Sequence, residues 1–135
     1  MKNEKGGTTM NVSTCLNILR KIKDVAFATV DENNQPQVRI IDVMLVEDNK
    51  LYFCTARGKD FYKQLKNHPY VAITGMNKKY QMVRLNGPVK RLENQKYWID
   101  RIFKHNSSMN NVYPNESRYI LEAFCIEEGQ LEYFD

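Results

Sequence analysis

The chain has 135 residues and a mass of 15.9 kDa, which is the size of a single domain. Apolar residues make up 42% of the sequence and charged residues 27%, and these ordinary proportions exclude a mostly disordered chain. No apolar run approaches the roughly 20 residues that a membrane-spanning helix needs. The first nine residues are polar and lack the apolar core of a secretory signal. We therefore expect no membrane partner.

The formal net charge is +4, and lysines and arginines are spread along the chain. A dedicated nucleic-acid module usually concentrates its basic residues in a stripe, whereas this mild excess suits a small anionic ligand. The three cysteines form no CxxC pair and no zinc spacing, and there are only two histidines. We expect reduced thiols, a cytoplasmic location, no metal site and no nucleic-acid partner.

The pattern of apolar residues predicts a flexible tail over residues 1–12 and a single domain over residues 13–135. Ser13 or Thr14 is expected to cap a first helix, Asp60 a second that stops before Pro69, and a third is expected over residues 95–103. The predicted strands span residues 25–30, 38–46, 51–54, 70–76, 80–85, 119–126 and 131–134.

Many short strands with two or three intervening helices indicate a small antiparallel barrel. The strand predicted over residues 38–46 is apolar on both faces. One face would fill the barrel, and the other would be covered by a helix or by a second subunit.

The turn at residues 47–50 allows the register of the following hairpin to be predicted. If Asp48 and Asn49 form a two-residue turn, Glu47 faces Lys50. Continuing the count along an unbroken strand places Arg39 opposite Gly58.

This register brings Arg39 to the loop that carries Thr55, Arg57 and Lys59. The same loop opens a helix, whose free N–H groups and positive dipole end favour an anion. Together these groups could bind a phosphomonoester through charge-assisted hydrogen bonds. The alternative is that Arg39 forms a strand-end ion pair with Asp42 or Asp60.

An ordered set of short motifs resembles a known family. The segments FATVD (27–31), QPQVR (35–39), LYFCT (51–55) and QLKNHP (64–69) follow one another at close spacing. Together they resemble the pyridoxamine 5′-phosphate oxidase-like family over roughly residues 16–135. The resemblance implies a mainly β fold, a six-stranded antiparallel split β-barrel, and a homodimer with FMN in a groove at the subunit interface.

The resemblance also implies which residues hold the cofactor. Arg39 matches the strand arginine that contacts the FMN phosphate, and Ile40 and Ile41 match positions whose backbone touches the flavin ring. Thr55 matches a strand-end threonine that helps to hold the flavin. Lys59 stands next to the family's basic pair, and the fifth-strand glutamine that approaches the ring corresponds to Gln81.

The implied function is that of an FMN-dependent oxidoreductase acting on a small molecule. Two alternatives are a flavin-binding module without turnover and a small-barrel nucleic-acid binder. The sequence departs from true pyridoxamine phosphate oxidases at Asp60 and Phe61, which replace an Arg-Lys pair, and at Met44, which replaces a lysine. Their substrate-phosphate segment is also not found before Asp135. We therefore expect no oxidation of pyridoxamine 5′-phosphate.

Overall fold

The computed structural model describes residues 1–5 and 10–135, with side chains for Met1 and residues 10–135. The helices of this part are α1 (Val12–Ile22), α2 (Asp60–Asn67), α3 (Gln95–His105), α4 (Met109–Val112) and a 3₁₀ helix (Asn115–Ile120). The strands are β1 (Lys2–Lys5), β2 (Asp24–Val30), β3 (Pro36–Asp42), β4 (Leu45–Glu47), β5 (Lys50–Ala56), β6 (Tyr70–Met76), β7 (Met82–Pro88), β8 (Lys90–Arg91), β9 (Leu121–Ile126) and β10 (Gln130–Phe134).

The strands form two sheets, which confirms the mainly β prediction. The larger sheet has the order β1-β10-β7-β6-β2-β3, and the smaller has the order β4-β5-β9-β8. Every pairing is antiparallel except that of β1 with β10. The core between the sheets and helices α1 and α2 contains Phe27, Phe53 and Phe124. No helix in the described ranges has the length and apolarity needed to cross a bilayer.

The strand predicted over residues 38–46 is wrong as one continuous element. It is two strands, β3 and β4, which belong to different sheets. Val43 N donates to Lys23 O at 2.9 Å, whereas Met44 N donates to Tyr52 O at 2.9 Å. Val43 and Met44 are both buried at the point where the chain passes from one sheet to the other. Consecutive apolar residues are needed there for this reason, and not because one strand is covered on both faces.

The predicted hairpin register is correct near the turn and wrong beyond it. Glu47 pairs with Lys50 as predicted. Arg39 does not face Gly58, because β3, which carries Arg39, belongs to a different sheet from β4 and β5. Arg39 pairs instead with Phe27 of β2. Its position at the site is therefore set by the pairing of β3 with β2 and not by the β4–β5 hairpin.

Part of the N-terminal region belongs to regular elements. Lys2–Lys5 pairs in parallel with β10, because the edge of β10 offers unpaired backbone groups to any extended segment. Residues 6–9 of the predicted tail lie outside the described residues. The cap of α1 is Asn11, whose side chain accepts from Thr14 N at 2.8 Å, and not Ser13 or Thr14.

The stretch after β6 also differs in detail. The predicted fifth strand, residues 80–85, is β7, which continues through Gly87 to Pro88. A Cβ on Gly87 would lie 2.3 Å from Glu128 O, so glycine is used here for close approach of two backbones. The segment between α3 and β9 contains α4 and the 3₁₀ helix.

Candidate functional site

A cavity of about 950 Å³ lies along the free edge of β3, the last strand of the larger sheet. Its walls come from the β2–β3 turn, β3, the end of β5, α2, and the segment from α4 to β9. Five predicted site residues line it: Arg39, Ile40, Ile41, Thr55 and Lys59. The volume falls at the upper end of the roughly 300–1,000 Å³ typical of small-molecule sites.

In the part of the chain that the structure describes, all the hydrogen-bond acceptors that hold Arg39 in this cavity are neutral. Its Nη1 donates to Thr29 Oγ1 at 2.6 Å and to Phe27 O at 3.4 Å, and its Nη2 donates to Gln64 Oε1 at 2.6 Å. These contacts use three of the five N–H donors of a guanidinium. The other two remain available to a ligand.

The alternative of a strand-end ion pair is wrong. Arg39 forms no ion pair with Asp42, Asp60 or any other carboxylate among the side chains that the structure describes. Burial lowers the pKa of Arg39, and the charge of Asp60 partly restores that pKa. An arginine remains protonated under these conditions, so the cavity wall contains a cation without a bonded counterion.

Phe61 fixes the guanidinium from the other side. The Arg39 Cζ lies 4.5 Å from the centroid of the buried Phe61 ring, which is a favourable cation–π distance. Phe61 occupies one of the positions at which the family resemblance leads us to expect a base. Phe61 therefore stands in place of a basic residue that the family resemblance implies, and its ring helps to orient the Arg39 guanidinium.

The N-terminus of α2 faces the same cavity. Its N-cap is Lys59, not Asp60 as predicted, and Lys59 makes no side-chain capping bond. Asp60 is instead the first helical residue, where a carboxylate is favoured by the helix dipole. The N–H groups of the first turn have no partners within the helix, so they add positive potential to that of Arg39. The carboxylate of Asp60 opposes both.

Thr55 and Cys54 form the wall contributed by the end of β5. Both side chains are buried, with Thr55 paired opposite Glu122 of β9. Burial, together with the charge of Asp42, raises the pKa of Cys54 to about 12. Cys54 is therefore an uncharged thiol at neutral pH.

The backbone of β3 presents hydrogen-bonding groups along its free edge. Val43 N donates to Lys23 O, and the groups of an antiparallel strand point alternately toward and away from its neighbour. The N–H and C=O groups of Arg39 and Ile41 therefore point toward β2, whereas those of Ile40 and Asp42 point toward the open edge. Of the two isoleucines predicted to touch a ring through their backbone, only Ile40 has this orientation.

Gln81 lies outside the cavity of its own chain. It belongs to the β6–β7 turn, where its Nε2 donates to Tyr133 Oη at 3.0 Å and its Oε1 accepts from Asn77 Nδ2 at 2.8 Å. The structure does not bring it together with the other predicted residues.

Sequence reasoning missed a polar face of α2. Lys63, Gln64 and Asn67 all line the cavity. Lys59, Lys63 and Asn67 recur every four residues, which places them on one side of a helix, while Phe61 and Leu65 are buried on the other. This four-residue spacing in the sequence is sufficient to predict the polar face of α2.

The family model described as pyridoxamine 5′-phosphate oxidase matches residues 13–122, well over half of the chain. The chain belongs to this family. A comparison with curated protein sequences finds no match.

Solved structures share this architecture. A NimC/NimA family protein from Clostridium acetobutylicum is 27% identical, with 84% of this chain and 77% of that chain covered and a TM-score of 0.71. A protein of the pyridoxinephosphate oxidase family from the same organism, related to general stress protein 26 of B. subtilis, is 16% identical, with 86% and 84% covered and a TM-score of 0.67. A FAD-binding protein from Mesorhizobium loti is 17% identical, with 92% and 94% covered and a TM-score of 0.63. The predicted split-barrel fold is confirmed.

Proposed function

We propose that this protein binds FMN in the cavity beside β3 and acts as an FMN-dependent oxidoreductase on a small, planar, weakly charged molecule. The observation that carries the proposal is the Arg39 guanidinium, which is oriented by three neutral acceptors and is bonded to no carboxylate among the described side chains. A phosphate is the counterion that this arrangement fits. Membership of the family and the volume of the cavity support the same assignment.

Different residues would hold the two ends of the cofactor. Arg39, Lys59, Lys63 and the first turn of α2 would hold the phosphate. The free edge of β3 at Ile40 would receive the ring. When bound, FMN supplies hydride or electron transfer, while the protein orients it and shapes the space for the substrate.

Asp60 works against phosphate binding, and this gives a test of the site's electrostatics. Replacing Asp60 by asparagine should strengthen FMN binding by up to about fivefold, because an exposed charge pair contributes about 0.2–1 kcal/mol. Titration of FMN fluorescence would measure the change. Asp48→Asn, in the exposed β4–β5 turn, is the matched control and should leave the affinity unchanged. Weaker FMN binding by the Asp60→Asn variant would contradict this placement of the phosphate.

The substrate is not expected to be pyridoxamine 5′-phosphate. Met44 is buried where the family resemblance implies a lysine, and Asp60 and Phe61 stand where it implies two bases. A second phosphate in a partly buried groove would therefore lack fixed donors, which carries a large free-energy penalty.

An activity assay with saturating FMN tests this expectation. Pyridoxamine 5′-phosphate should give no peroxide, whereas 1,4-naphthoquinone or a nitrofuran should be reduced with a nicotinamide donor. Turnover of the pyridoxamine substrate would contradict the reading of Met44, Asp60 and Phe61. If FMN binds and none of these compounds turns over, the flavin-binding module without turnover becomes the better account.

We further propose that the protein is a homodimer formed through the outer face of the larger sheet. Large apolar side chains are exposed on this face, including Val38 (68% exposed), Ile40 (63%) and Met76 (55%). Between them, Ala28 and Ala72 form a low surface on which a second copy could pack. Because Ile40 also lines the cavity, this interface would border the cofactor.

A cytoplasmic location is part of the same proposal. Cys15, Cys54 and Cys125 are all buried and unpaired. Free buried thiols are typical of proteins from reducing compartments.

A further inference from the structure

Two carboxylates face each other on neighbouring strands of the larger sheet, and one of them lines the cavity. Asp42, the last residue of β3, pairs directly with Asp24, the first residue of β2. Because Val43 N donates to Lys23 O, Asp24 and Asp42 occupy the adjacent non-hydrogen-bonded position, where opposed Cα atoms approach to about 4.5 Å. Like charges directly opposite each other destabilise a sheet, and the ion pair between Lys23 and Asp42 offsets only part of this repulsion.

Asp42 is the member that reaches the ligand space. It lines the cavity, and about a third of its side chain (32%) is exposed. Three groups act on it from the surrounding elements: the carboxylate of Asp24 on β2, the Lys23 ammonium with Nζ 3.9 Å from Oδ2, and the Arg20 guanidinium on α1. The Cys54 thiol on β5, which lines the same cavity, is kept neutral by its burial and by the charge of Asp42, which raise its pKa.

The balance of these groups favours a retained proton. Burial, a hydrogen bond with Asp24 and the charge of Asp24 raise the pKa of Asp42 to about 6, against the opposite effect of Lys23 and Arg20. Two carboxyl groups that share a site and one proton are a known way to place an acid near neutral pH.

We propose that Asp24 and Asp42 share one proton and that Asp42 donates it to the small molecule reduced in the cavity. This inference rests on the proposed function. The substrate would accept a hydride from the two-electron-reduced flavin at one atom and a proton from the Asp42 carboxyl at an oxygen. The substrate would thereby gain two electrons and two hydrogens, the reduced flavin would return to its oxidised form, and the carboxyl pair would regain its proton from water.

The shared proton can be tested without cofactor. In carbon-13 NMR titrations of the cofactor-free protein, one aspartate carboxyl should titrate near pH 6. That signal should vanish in Asp42→Asn and move toward the ordinary aspartate range in Asp24→Asn, while Asp48→Asn leaves it in place. If every aspartate of the wild-type protein titrates below pH 5, the proton is not shared and the inference is overturned.

The transfer step can be tested by single-turnover oxidation of the reduced FMN complex with 1,4-naphthoquinone. Asp42→Asn should slow this step by about 10²- to 10⁴-fold, the usual contribution of a general acid, with FMN affinity unchanged within twofold. The wild-type rate should fall as the pH rises through about 6, and Asp42→Asn should lose this dependence.

The outcomes separate the two proposals. If FMN binds but Asp42→Asn retains the wild-type rate and pH profile, this inference alone is overturned. If the wild-type protein does not bind FMN, the proposed function fails and this inference fails with it. Asp48→Asn should behave as wild type throughout.

Discussion

Replacing Arg39 by alanine is expected to weaken FMN binding by about 10- to 150-fold. Hydrogen bonds to a charged group contribute about 1.5–3 kcal/mol, and each 1.4 kcal/mol corresponds to a tenfold change in affinity. The loss should be specific to the phosphate, so riboflavin binding should change little. Fluorescence titration of both ligands against both proteins measures the difference.

Two controls make the Arg39 result interpretable. Lys104→Ala removes an exposed cation at the end of α3 and should leave FMN binding unchanged. Arg39→Ala also removes the donor to Thr29 Oγ1 and one of the two donors to Gln64 Oε1, the other being Thr29 itself, which should lower the free energy of unfolding by about 1–3 kcal/mol. Urea denaturation measures that change separately. A folded Arg39→Ala variant with wild-type FMN affinity would remove Arg39 from the phosphate site.

Introducing an arginine at Ala72 is expected to convert the proposed dimer into a monomer. Ala72 is exposed on β6, opposite Ala28 on β2, near the centre of the face to which we assign the interface. A stable interface of this kind buries more than about 1,200 Å² in total, and a long charged side chain at its centre would lose its hydration without gaining a partner. Sedimentation at micromolar concentration measures the result.

The matched control places the same side chain elsewhere. Ser107→Arg lies on the exposed connection between α3 and α4 and should remain dimeric. The Ala72→Arg variant should also bind FMN more weakly if the partner subunit completes the site. A wild-type protein that sediments as a monomer would overturn the dimer proposal directly.

Local patterns predicted most elements well, and the errors fall where tertiary structure decides. The strand over residues 70–76 was predicted with its observed bounds, since its ends are set by Pro69 and a turn. The break between β3 and β4 could not be predicted, because no proline or glycine marks it. Only the different partners of the Val43 and Met44 amides separate the two strands.

In the candidate site, too, some features can be predicted from the sequence and others depend on tertiary structure. Arg39, Thr55 and Lys59, which the family resemblance implies as cofactor contacts, line one cavity, although the register argument assigned Arg39 to the wrong partner strand. The neutral environment of Arg39 could not be predicted, since Thr29 and Gln64 are 10 and 25 residues away from it in sequence. The sequence patterns do not predict the pairing of Asp24 with Asp42, because they leave the β2–β3 register open.

The most direct test of a phosphate-selective flavin site is a side-by-side titration of the purified wild-type protein with FMN and riboflavin. We expect FMN to bind at least about tenfold more tightly, because only FMN can use the charge of Arg39 and the N-terminus of α2. Equal affinity for the two flavins would contradict a phosphate site at Arg39.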